Sequence, residues 1–263
     1  MNKKSNEKSE NRKALPRFFG TMALSLLGGG VLGFVIGCSR IFGLEAAALA
    51  DGLSAVLRAV TPWGIPVTSV LTLGACFLLY RSAAKKFAAW GGGDEDETSA
   101  AIDVSLSWAL LLSAVQLLLN LFFLAAFCAY YLDGEVSALT HVGVFLFSCG
   151  LVVFTQQKTV DLERRMNPEK HGSVYDAKFQ KKWLDSCDES ERRQIGQACY
   201  RAYMTANRLC LGLWLVLVVL SMVFEMSLLP VFVLLLVWGA MQVTYSLECI
   251  RLGKGAWPLL NTK

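Results

Sequence analysis

Charge and histidine are scarce in this sequence. Asp, Glu, Lys and Arg make up 17% of the 263 residues against 54% hydrophobic residues, and the mean hydropathy is +0.46. Such a balance excludes an ordinary soluble domain and makes lipid the natural solvent. The only histidines are His141 and His171, and neither a G-x-S-x-G nor an H-E-x-x-H sequence occurs. Triad and zinc-hydrolase chemistry therefore have few routes, and we expect no enzyme activity, no cofactor and no metal site. Eight cysteines contain no C-x-x-C pair. Cys38, Cys76, Cys128, Cys149, Cys210 and Cys249 lie in or at the ends of apolar runs, and only Cys187 and Cys199 lie in polar sequence. They read as small hydrophobes rather than as disulfides or metal ligands. A net charge of +4 makes no case for nucleic acid.

Long intervals without charge are abundant. Crossing a hydrocarbon core takes about 20 apolar residues. Five intervals meet this: 18–39, 59–80, 136–157 and 226–247, with 22 uncharged residues each, and 104–132 with 29. A sixth, 209–224, has only 16, eleven of them Leu, Val or Trp, with Arg208 and Glu225 at its ends. Those two side chains can snorkel to the interface, so it is also read as a span. Pro230 suits the first turn of the last helix, where its missing N–H costs no bond. The fold class expected is all-α, a polytopic transmembrane helical bundle. Spans 1–4 fall within 15–157 at about 18–38, 62–80, 105–131 and 138–157. Spans 5–6 fall within 209–250 at about 209–225 and 230–249.

The basic residues fix an expected orientation. Lys and Arg number 6 before span 1, 3 between spans 2 and 3, 11 between spans 4 and 5, and 3 after span 6. The three alternate loops hold 2, 0 and 0. Since short cytoplasmic loops retain positive charge, both termini are expected in the cytoplasm and the protein in the cell membrane. The leader, residues 1–14, reads as a disordered cytoplasmic tail, and 251–263 as a second tail. A basic leader and an apolar run ending Val35-Ile36-Gly37-Cys38 are similar to a lipoprotein signal peptide. The length of that run and the five further spans favour an uncleaved span.

No Asp, Glu, Lys or Arg lies near the middle of a span, which weakens an ion-coupled transporter reading. His141, near one end of span 4, reads as structural. Gly29, Gly33 and Gly37 share one face of span 1 and are read as helix packing within the chain, with self-association the other reading. Gln116 and Asn120 share a face of span 3; interhelical hydrogen bonding is favoured over a substrate site. Between spans 1 and 2, Phe42, Ala46, Leu49, Leu53, Val56 and Val60 recur every three or four residues. They predict an amphipathic helix lying on the outer membrane surface.

Two polar loops lie on the expected cytoplasmic side. In the shorter, Gly91–Gly93 and the acids 94–97 read as a solvated linker without the spaced ligands of a calcium loop. The longer, 158–208, is expected to form a cytoplasmic helical hairpin. Asn167-Pro168 ends the helix that leaves span 4. Tyr175, Phe179 and Trp183 then recur every four residues with Lys178, Lys181 and Lys182 beside them. The spacing predicts a helix whose aromatic and basic face, Tyr175, Phe179, Lys181, Lys182 and Trp183, meets the anionic inner leaflet, the bundle or a partner. Asp188-x-x-Glu191 looks like a capping box opening a second helix. Ile195, Ala198, Cys199, Ala202 and Ala206 give that helix an apolar face as it runs into span 5.

The stretch MNPEKHGSVYDAKFQKKWLDSCDESE, Met166 to Glu191, resembles the cytoplasmic signature of a family of bacterial multi-pass membrane proteins of unknown function, found mainly in Firmicutes. The resemblance implies an inner membrane protein and supplies no catalytic residue. The function expected is that of a non-enzymatic accessory or regulatory membrane protein acting through 158–208. Its expected partners are the lipid bilayer and a cytoplasmic protein or a second copy, not nucleic acid. The alternative is a small permease built around Gln116 and Asn120.

Overall fold

The computed structural model describes residues 46–90, 96–131, 138–224 and 227–253, together with isolated positions between 16 and 30. The first expected span with Gly29, Gly33 and Gly37, most of the leader and the tail from 254 lie outside the described residues. Six helices and no strand occur among the described residues: α1 (Ala46–Ala89), α2 (Asp96–Tyr131), α3 (Ala138–Met166), α4 (Phe179–Asp185), α5 (Glu189–Phe224) and α6 (Leu229–Gly253). All but α4 contain a stretch long and apolar enough to cross a membrane. They expose large apolar side chains such as Val70, Leu118, Leu139 and Phe147, as lipid-facing helices do and soluble surfaces rarely do. The chain divides into two compact units, Asp51–Ala206 with Ser246–Lys263, and Met1–Ala50 with Asn207–Tyr245.

In the larger unit α1, α2 and α3 pack together. Pro62 and Pro66 both lie inside α1, where proline ordinarily breaks a helix. Pro62 has no N–H to give the Arg58 carbonyl four residues earlier; the Tyr131 hydroxyl donates to that oxygen instead, at 2.5 Å. In lipid such re-satisfaction lets a helix run through proline. The separate surface helix expected over 42–60 is therefore not seen. From Ala46 onward it is continuous with the second span. Two residues beyond Pro62, Gly64 allows α1 to pass close to α2: a Cβ there would lie 2.3 Å from the Phe123 ring.

The interior of this bundle is layered. Near the 132–137 connection, His141 stacks on Phe127 at 4.0 Å between centroids and 7° between planes, and Phe127 stacks on Tyr131. In the middle lies a polar cluster. Gln116 Nε2 donates to Ser69 Oγ at 2.9 Å and Asn120 Oδ1 at 2.8 Å, while Gln116 Oε1 accepts from Thr72 at 2.6 Å. Asn120 Nδ2 donates to Ser148 Oγ at 2.9 Å, and Ser148 is 2.7 Å from Ser69. Both amides are fully buried. The substrate-site reading of Gln116 and Asn120 weakens accordingly, since each amide is engaged by neighbouring helices. At the far end Ala83, Ile102, Leu106 and Leu162 form an apolar cluster with Tyr80, Ala84, Phe87 and Met166 packed around it.

In the smaller unit Asn207 on α5 joins α6, its Oδ1 accepting from Trp238 Nε1 at 2.8 Å and Gln242 Nε2 at 2.7 Å. Pro230 sits in the first turn of α6, as its lack of an N–H favours.

Candidate functional site

The segment after α3 is held to the bundle by side chains that sequence alone gives little reason to single out. Helix α3 runs to Met166 and stops before Pro168. Asn167 turns the chain, its N–H bonded to the Glu163 carbonyl at 2.9 Å and its Nδ2 to Glu163 Oε1 at 2.9 Å. Gln157, almost fully buried, accepts at Oε1 from Ser173 Oγ at 2.9 Å and from the Val174 N–H at 2.8 Å. Gly172 has φ of +139°, and a Cβ there would lie 2.9 Å from the Phe179 ring. Only glycine takes that conformation readily.

These anchors reshape the expected aromatic stripe. Asp176 Oδ1 accepts from the Lys178 N–H at 2.9 Å, a local turn that competes with helix, and α4 begins only at Phe179. Tyr175 thus precedes the helix and is exposed, so three aromatics on one helical face, as the spacing predicts, are not formed. Phe179 and Trp183 do share α4, with ring centroids 5.6 Å apart. Lys181 and Lys182 are exposed, and Lys182 pairs with Asp176. The Lys182 ammonium, hydrogen-bonded to Asp176, holds that carboxyl below the usual range.

The capping box at the start of α5 is present in both directions. The Glu191 N–H donates to Asp188 Oδ1 at 2.7 Å, and the Asp188 N–H to Glu191 Oε2 at 3.0 Å. The same Glu191 oxygen receives Lys170, an ammonium only 3% exposed. Lys170 Nζ also lies 3.5 Å from Cys187 Sγ and 5.9 Å from the centre of the Trp183 ring. Burial pulls its proton affinity down, but the Glu191 hydrogen bond and charge and the Cys187 sulfur outweigh burial, and the net shift is upward. Arg192 bonds the Leu184 and Asp185 carbonyls at 3.2 and 2.8 Å, closing the end of α4.

Between these elements and the bundle lies a cavity of about 350 Å³. Its walls carry the carboxyls of Asp103 on α2, Glu163 on α3 and Glu191 on α5, together with Lys170, Trp183 and Cys187. Asp103 and Glu163 act on each other electrostatically across the cavity wall. Asp103 Oδ1 is out of solvent with no donor to it. Among the described residues no group of three His, Cys, Asp or Glu side chains is placed to hold a metal ion. Of the expected interaction residues only Trp183 reaches this cavity. Asp103 is legible in the sequence only as the limit of the charge-free interval 104–132, and nothing in the sequence singles out Glu163. The available signal was that helices joined by a short connection are antiparallel, which sets residues at similar distances from it at one depth.

Fold and site together define a membrane-embedded α-helical protein whose polar segment closes over one end of a three-helix bundle. The family described as "Protein of unknown function (DUF3169)" matches residues 12–248, and the chain belongs to that family. The match takes in the first half of the sequence as well as the Met166–Glu191 stretch. No curated protein and no solved structure matches the chain.

Proposed function

We propose that the protein crosses the cell membrane six times with both termini in the cytoplasm, and that it is a non-enzymatic accessory or regulatory protein. Its 158–208 segment, the cytoplasmic hairpin, presents a fixed surface to a cytoplasmic partner. The observation that carries this reading is the anchoring of 167–188 by buried Lys170, Gln157 and the capping pair, with Tyr175, Lys181 and Lys182 left facing outward. A segment fixed in this way loses little further entropy on binding. The test is a photocrosslinking amino acid at Tyr175 in intact cells, with Val70 on the apolar surface as control. A discrete protein adduct at Tyr175 that disappears when Lys181 and Lys182 become Glu is expected. The same adducts from both positions, or none from Tyr175, would remove the partner surface. The permease reading is less favoured, since Gln116 and Asn120 spend their hydrogen bonds on neighbouring helices. Uptake left unchanged by replacing both with Leu would put any substrate site elsewhere than at these amides.

A further inference from the structure

We propose that the cavity walled by Asp103, Glu163, Glu191 and Trp183 binds a small organic cation carrying a primary ammonium or guanidinium group. Three acidic residues and one lysine line it, and that lysine, Lys170, has its hydrogen bonds on Glu191 and Cys187. Glu163 Oε1 takes an amide donor from Asn167. Asp103 Oδ1, out of solvent, takes no donor at all. Two carboxyls side by side in a half-buried place repel unless a proton or a cation joins them, and a cation in the cavity would supply that counter-charge.

The rest of the cavity selects an organic cation over a bare ion. Its volume of about 350 Å³ far exceeds what a metal ion fills, and Leu106, Leu110, Val160 and Ile195 line it beside the Trp183 indole. Aliphatic walls accept the carbon chain of an amine, and the face of an indole is a favourable neighbour for its charge. An anion would meet repulsion from the carboxyl pair, and a neutral apolar molecule would strand the same oxygens without donors.

The ammonium or guanidinium could belong to a free metabolite or to a Lys or Arg side chain of a peptide, and two probes separate these sources. The full-length protein in detergent is titrated by calorimetry with agmatine, and separately with acetyl-Gly-Lys-Gly-amide, against sodium chloride at equal ionic strength. Saturable binding is expected, weakened about 10-fold or more by Asp103→Asn and by Glu163→Gln, as loss of a charged hydrogen-bond partner implies. Binding should be unchanged in Arg201→Ala, an exposed position away from the cavity. Agmatine binding alone identifies a small-molecule site, and peptide binding identifies a docking site for a basic side chain. If neither probe binds the monodisperse protein between pH 6 and 9, the carboxyls share a proton instead and the proposal fails. It fails equally if both near-isosteric variants bind as tightly as the parent. The measurement is made in detergent, so its outcome stands apart from the topology proposed above.

Discussion

At the scale of the residue, Lys170 ties the turn after α3 to the start of α5. Its ammonium is buried on a carboxylate that also caps α5, so Lys170→Met removes a counter-charge and loosens two anchors together. Glu191 is 38% exposed, and water screens part of the loss, so the cost is expected at about 1–3 kcal/mol. It is read as a lower Tm in detergent; an unchanged Tm would deny Lys170 this role. The pH dependence has a definite sign. A proton affinity raised by folding stabilises fully below the unfolded lysine pKa and is lost as pH rises through the folded one. The gap in Tm between parent and variant should therefore stay constant through neutral pH and close only above about pH 10. Gly172→Ala places a Cβ at a positive φ against Phe179 and should cost about 1–2 kcal/mol or more. Lys170 and Gly172 belong to the stretch that carried the family resemblance, but their tasks were not legible, because a buried ammonium and a left-handed turn depend on contacts distant in sequence.

At the scale of the element, the amide cluster and the proline helix separate what sequence reveals from what it hides. Gln116 and Asn120 on one face of an apolar helix already require partners, and the structure supplies Ser69, Thr72 and Ser148. Gln116→Leu leaves several of these unpaired and is expected to cost about 1–2 kcal/mol. The Gln116→Leu/Asn120→Leu double variant should cost less than the sum of the two single variants, because it removes both ends of their mutual bond. Additive losses in thermal unfolding would mean the amides act independently. The continuity of α1 through Pro62 was not legible. Proline ends a helix by local rules, and the hydroxyl that rescues the Arg58 carbonyl comes from Tyr131, 73 residues away. Asp188 and Glu191, by contrast, needed only local spacing, and their reciprocal bonds are as the sequence leads one to expect. The reading of Tyr175 as helical failed because the Asp176 side chain offers Lys178 a competing turn.

At the scale of the whole molecule, the strongest sequence signal is the alternation of charge-free intervals with basic loops. The spacing of charges leads one to expect spans in the intervals between them because charge is costly in lipid, and five helices long and apolar enough to cross a membrane are present among the described residues. Which side each loop faces is carried by 23 of the 25 basic residues and rests on the positive-inside rule. The most direct test is a pair of reporter fusions, one joined after Glu169 and one after Gly134, each scored with an enzyme active only inside the cell and one active only outside. The account predicts the Glu169 fusion inside and the Gly134 fusion outside. The reverse pattern, or both on one side, would contradict it.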